Sequence, residues 1–296
     1  MYRNTFLSVM FLACCFNGSL CAQSDAQIYE RTCDAKTYPF SDPSPVATPN
    51  NSYYPYFRFD GFSMQAQEKQ WKMVVLENDY VKLTVTPEIG GKIWGAIDKV
   101  NNKEFVYTNG VVKFRDVAMR GPWTSGGIEF NFGIIGHAPT CSTPIDYLTK
   151  KNVDGSVSCH IFSYEWITRT VWNVEISLPK DKAYFTTHTT WFNQSSIDQP
   201  YYQWMNAGYA TKTGTRFYYP GTYSIGHSGD LHPYPIDEEG RDVSWYDNNN
   251  FGASKSLHII GDYNDYFGIY WHNEKHGSAH FLWELRRRKN LQPRMF

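Results

Sequence analysis

Residues 120–147, RGPWTSGGIEFNFGIIGHAPTCSTPIDY, collect five side chains that can work on a polar ligand: Arg120, Trp123, Glu129, Asn131 and His137. A carboxylate and an imidazole facing each other can pass a proton when their pKa values are pushed apart. An amide or guanidinium can hold hydroxyls or a carboxylate, and an indole offers a flat apolar face. If residues 128–132 form a strand, Glu129 and Asn131 share one face, because alternate side chains do. Glu129 is the expected working carboxylate, as a base or as a hydroxyl anchor; a surface glutamate is the plainer alternative. His137 sits in a Gly-His-Ala-Pro turn, where an imidazole acts as acid or hydroxyl donor, or bonds the loop backbone. Arg120 either forks onto a ligand or pairs with Glu129.

A second long segment, residues 219–250, adds His227, Asp230, His232 and Trp245. The spacing in GHSGDLHP resembles a metal-ligand set, but two His five apart in a loop more often make hydrogen bonds, so no metal is expected. Trp271 and His272 form a strand-end pair that can line the same cleft. Trp204 is either a stacking platform or a core residue. No Walker-type or dinucleotide glycine pattern occurs, and no Gly-x-Ser-x-Gly elbow. Nucleotide and serine-hydrolase chemistry are therefore set aside, and no cofactor is expected.

These side chains need a scaffold, and composition says which kind. The 296 residues include 10 Trp, 22 Tyr and 19 Phe, so 17% are aromatic while net charge is only −1. Mean hydropathy is −0.51 despite 42% hydrophobic residues, which places the apolar surface in rings rather than aliphatic chains. Near-neutral charge gives no footprint for nucleic acid. Rings suit pleated, half-buried strands, and they also suit clefts for sugars, whose C–H faces stack on them. Period-two alternation runs through Val81–Thr86 and residues 92–97, 104–108, 111–114, 156–163, 168–178, 183–192, 201–209, 215–219, 256–261 and 266–271. No segment reads as a helix of three turns, so the expected fold is all-β, a large antiparallel sandwich in one domain.

Residues 1–22 read as an export signal, with Arg3 before the apolar run FLSVMFLACCF and small residues ending at Ala22. The run is too short to span a membrane. The expected location is the periplasm, cell surface or exterior, with a lipid anchor on Cys14 or Cys15 as the alternative. Residues 23–56 read as an extended lead-in, rich in Pro, Asn and Tyr towards its end. Outside the signal lie Cys33, Cys141 and Cys159, an odd number that allows at most one disulfide; Cys141 and Cys159 either pair or stay buried and free.

Two sets of motifs resemble known proteins. LENDYVKLTVTPEIGGKIWGAIDKVNNKEFVY, residues 76–107, resembles the opening hairpins of the galactose-mutarotase-like superfamily, with its Pro-Glu-x-Gly-Gly turn. GGIEFNFGIIGHAPTCSTPIDY, WFNQSSIDQPYYQWMNAGY and GRDVSWYDNNNFGASKS resemble the secreted bacterial proteins grouped as domain of unknown function 5107, often exported proteins of Bacteroidetes. The resemblance implies a β-supersandwich related to aldose epimerases and polysaccharide-active enzymes. It implies an exported carbohydrate-active protein, glycoside-hydrolase-like, with a carbohydrate ligand held by Arg120, Trp123, Asn131, Trp204 and Asn206. A non-catalytic sugar-binding or degenerate fragment is one alternative, and an aldose 1-epimerase is another. Asn206 stands where the resemblance places a catalytic His, and an amide cannot shuttle protons at neutral pH. The usual second acid would come from a late strand, where neither Glu274 nor Glu284 is well placed. The sandwich is expected over residues 57–283, and the basic tail 284–296 reads as a truncated or frame-shifted end.

Overall fold

Between Thr170 and Leu178 the buried side chains are every second one: Thr170, Trp172, Val174, Ile176 and Leu178 point inward, while Val171, Asn173, Glu175 and Ser177 stand half-exposed. That period of two gives a strand one dry face and one wet face. The same logic organises the computed structural model, which describes residues 24–40, 62–116, 122–133, 137–165, 168–200, 202–226, 228–249, 257–261 and 265–282. Residues 1–22, expected as an export signal, most of the Pro-rich lead-in, Arg120, His227 and the basic tail lie outside the described residues.

The chain begins with β1 (Gln27–Tyr38), β2 (Gln67–Glu77), β3 (Val81–Thr86), β4 (Lys92–Asp98), β5 (Lys103–Val106) and the short β6 (Val112–Lys113). A small hairpin of β7 (Arg115–Asp116) and β8 (Pro122–Trp123) leads into β9 (Ile128–Gly133). Next come β10 (Asp146–Lys151), β11 (Val157–Glu165), β12 (Thr170–Leu178) and β13 (Thr186–Asn193), which pair consecutively as a four-stranded antiparallel sheet. Then β14 (Tyr202–Ala207) returns to the first sheet, whose order is β14-β9-β4-β3-β2-β1-β6 with β5 on β4. The remaining strands are β15 (Thr215–Tyr218), β16 (Tyr223–Ile225), β17 (Leu231–Pro233), β18 (His258–Ile260), β19 (Tyr266–Trp271) and β20 (His276–Phe281). They form two three-stranded sheets, β15-β19-β20 and β17-β16-β18. The helical turns, such as Pro87–Ile89 and Pro139–Ser142, are short 3-10 pieces. Among the described residues no helix is long and apolar enough to cross a membrane.

The eight-stranded and four-stranded sheets pack face to face as a sandwich. Val74, Leu76, Leu83, Val85, Ile93, Ile128, Phe130 and Phe132 meet Val157, Cys159, Ile161, Trp172, Val174 and Ile176 between them. Phe132 and Trp172 stack across that interface with centroids 4.5 Å apart and planes 10° apart. The large sheet has a second apolar cluster, built from Trp71, Met73, Ile89, Trp94, Val112 and Phe114. Trp71, Met73 and Trp94 fall out of phase with the inter-sheet residues of β2 and β4, so this cluster covers the outer face.

One feature differs from the sequence reading, and one open alternative is decided. Residues 27–38, read as part of the lead-in, form the twelve-residue β1, paired along its length with β2. Its side chains are mostly exposed, so its pairing rests on backbone hydrogen bonds and leaves little hydrophobic alternation to read. Cys141 and Cys159 are free thiols. Cys159 lies in the inter-sheet core, whereas Cys141 lies in the Pro139–Ser142 turn.

Candidate functional site

In β9 all six residues are buried. Ile128, Phe130 and Phe132 fill the inter-sheet core, so Glu129 and Asn131 face the other way, onto the outer side of the large sheet. The register of β14 sets Asn206 directly opposite Glu129 and Trp204 opposite Asn131. Residues paired this way share a face, so four of the expected site residues form one patch. On β4, Ile93 pairs with Ile128 in the core, which turns Lys92 and Trp94 outward beside them.

His137 closes the patch. Its Nδ1 lies 2.5 Å from Glu129 Oε1, and both side chains are buried. Asn131 Nδ2 donates to the same carboxylate oxygen at 2.9 Å, while Asn131 Oδ1 accepts from the Ala138 amide at 2.7 Å. The imidazole stands between two indoles, 5.5 Å from Trp123 and 4.9 Å from Trp204, the latter edge-on. Glu129 Oε2 is buried and has no hydrogen-bond partner among the described residues.

Two glycines let the backbone come this close. Gly90 has φ 65°, and a Cβ there would lie 2.5 Å from the Thr140 carbonyl oxygen. The Gly90-Gly91 turn therefore packs directly under the segment that carries His137. Gly127 has φ 64°, and a Cβ would lie 2.3 Å from the Ile93 carbonyl oxygen and 2.9 Å from Lys92 Cε.

The sequence reading passed over Lys92. It is 1% exposed, and its ammonium donates to the Thr124 carbonyl and, at 3.2 Å, to the Thr124 hydroxyl. Trp94 and Trp123 flank it, each with its ring centre 5.9 Å away. Burial pulls its pKa below the ordinary lysine value, and the Glu129 carboxylate pulls the other way. Cys141 was expected either in a disulfide or buried and free, and it is the latter. Burial holds its thiol well above the usual range, and the nearby Glu129 charge adds to that. The signal for Lys92 was its phase, since it alternates with the core residue Ile93, but a lone lysine in an apolar strand reads as a surface residue.

Other expected site residues are elsewhere. Trp271 is 4% exposed, donates to the Ala210 carbonyl at 2.7 Å and stacks on His276, so it packs the base of β19. His232 pairs with Glu238 at 2.9 Å and Asp230 accepts from Ser228 at 2.5 Å, both on an exposed hairpin. Among the described residues no three His, Cys, Asp or Glu side chains converge to hold a metal. Trp245 and His272 do meet, at 4.7 Å, but on the β15-β19-β20 sheet with Arg216, Tyr218 and Tyr270 around them. Glu274 is ion-paired with Lys212, which holds its carboxyl below the usual range.

A model of a protein family described as "Domain of unknown function (DUF5107)" matches residues 48–285. The chain belongs to this family. That span covers the whole Glu129–His137 patch and every described strand except β1. Among solved structures, a TPR-domain containing protein from Parabacteroides distasonis ATCC 8503 is similar, with a TM-score of 0.66 and 24% identity. The match covers 84% of this chain and 40% of that one, so this chain spans less than half the length of that structure. At that identity the likeness concerns the fold.

Proposed function

We propose that the protein is an exported carbohydrate-active protein of the galactose-mutarotase-like kind, in which His137, poised by Glu129, exchanges a proton with a sugar oxygen. The observation that carries this reading is the 2.5 Å contact between His137 Nδ1 and a buried carboxylate, walled by two tryptophans. With Glu129 ionised, Nδ1 carries the proton and donates it to Oε1. That leaves Nε2 as the basic atom, and the carboxylate stabilises the imidazolium once Nε2 takes a proton. Glu129 is 3% exposed, so it acts through His137 rather than by touching the sugar. Trp204 and Trp123 offer faces for the C–H side of a pyranose, and Asn206 an amide for its hydroxyls. Where the resemblance expects a catalytic His, Asn206 stands, and the imidazole of His137 comes to the same face from the neighbouring strand's carboxylate.

A non-catalytic sugar-binding reading is favoured by one observation. One oxygen of Glu129 and the Oδ1 of Asn131 bond residues 137–138, which is also what an anchor for a turn does. Polarimetric relaxation of α-galactose and α-glucose, with release of reducing ends from a panel of glycans, separates the two. Turnover by the wild type that His137→Ala abolishes supports proton transfer. Sugar binding with no turnover on any substrate leaves the binding reading alone standing.

A further inference from the structure

Beyond the outer edge of β14, a cavity of about 360 Å³ opens against the β15-β19-β20 sheet. Phe217 pairs with Ile269 and shares its face with Phe267, and these line the cavity with Tyr209 and Tyr219. Tyr219 and Phe267 stack with centroids 6.0 Å apart, which makes a broad ring surface. Asn206 and Thr211 line it too, and among the described residues no charged side chain does. The Tyr209 hydroxyl is taken by Ser278. The side chains of Thr211 and Tyr219 line the cavity with no hydrogen bond to any described residue, so two hydroxyls remain available to a guest.

We infer that this cavity is a second binding site, for a neutral pyranose as a mono- or disaccharide. The volume falls at the low end of small-ligand pockets, roughly 300–1,000 Å³. Rings cover the apolar face of a pyranose, and unpartnered hydroxyl groups answer its hydroxyls. A uronate would bring an anion into a lining with no cation, which desolvation penalises. The inference rests on the carbohydrate reading for the ligand's class, but it places the sugar on the far side of β14 from its neighbour β9. Through Asn206, paired with Glu129, the cavity adjoins the patch without including the His137 couple.

Saturation-transfer NMR with galactose, cellobiose and glucuronate tests this in the full chain. Tyr219→Ala removes a stacked ring, and Thr211→Trp, at an exposed position, sets an indole across the mouth. Each is expected to weaken neutral-sugar binding by on the order of tenfold, the scale of one aromatic contact. Glucuronate binding as tight as galactose overturns the inference. Loss of sugar binding in His137→Ala but not in Thr211→Trp also overturns it, while leaving the proposed function intact. Absence of binding by the wild type to galactose and cellobiose also overturns the inference, and the proposed function then stands or falls on turnover of the glycan panel.

Discussion

At the scale of single residues, His137 and Lys92 sit differently around one carboxylate: His137 bonds Glu129, while Lys92 donates to Thr124. His137 touches Glu129 directly, so the carboxylate holds the imidazole's orientation. Glu129→Gln keeps the shape and removes the charge. It is expected to lower kcat while changing KM little, and His137→Ala to remove a general acid–base contribution of about 10²–10⁴-fold. A Glu129→Gln enzyme with full kcat would show that the carboxylate only anchors the turn. Lys92 makes a different prediction, about stability. Burial lowers its pKa from the ordinary 10.5. Between that lowered value and 10.5 the unfolded chain holds a proton that the folded chain has released, so this residue's contribution to stability rises with pH. Below the window the lysine is charged in both states and its contribution is flat. Urea unfolding across alkaline pH, wild type minus Lys92→Met, isolates the effect from tyrosines titrating in the same range. A difference that stays flat with pH would mean that Lys92 is not held in a desolvated site.

At the scale of elements, the decisive piece is the turn from the Pro87–Ile89 helix into β4. Gly90→Ala puts a side chain in the left-handed region, costing about 1–2 kcal/mol, and drives it into the Thr140 backbone. Because that backbone follows His137, the variant is expected to lose stability in urea and also to shift the His137 imidazole signals in NMR. Lost stability with unchanged His137 signals would mean that the turn does not position the site. How far sequence could foresee these elements follows from what each strand buries. Thr170–Leu178 and Val81–Thr86 were legible because one face is dry and the other wet. Ile128–Gly133 was only a conditional strand, because it is covered on both faces and carries a glutamate and an asparagine into the interior. The short strands Tyr223–Ile225 and Leu231–Pro233 were hidden in what read as a loop, since three residues are too few to show a period. In the site, the shared face of Glu129 and Asn131 was readable from parity alone. That β14 would bring Trp204 and Asn206 opposite them was not, because pairing between distant strands is settled by tertiary register. For the same reason Trp271, His272 and Trp245, close to the site residues in chemical type, belong to another sheet.

At the scale of the molecule, the large sheet carries apolar packing on both faces, the inter-sheet core on one and the Trp71–Trp94 cluster on the other. If the sandwich unfolds as one unit, groups buried on opposite faces become reactive together. The two buried thiols report this. Cys159 is fully enclosed between the sheets, and burial pushes its thiol up to about 12; Cys141, 2% exposed beside the candidate site, is raised well above its usual range. Neither is expected to alkylate in the folded state near pH 8, while half-buried Cys33 labels first. Trp172→Ala removes the ring that stacks on Phe132 and is expected to destabilise the fold by about 3–5 kcal/mol. Under labelling limited by the open population, that raises the rates of Cys141 and Cys159 together, by roughly a hundredfold to a few thousandfold. Peptide mass mapping resolves the two sites. Faster labelling of Cys159 with Cys141 unchanged would break the single-unit picture, because the outer face and its Glu129–His137 patch would then hold while the inter-sheet core opens. Equal acceleration means instead that the site's geometry is only as durable as the core on the far side of its own sheet.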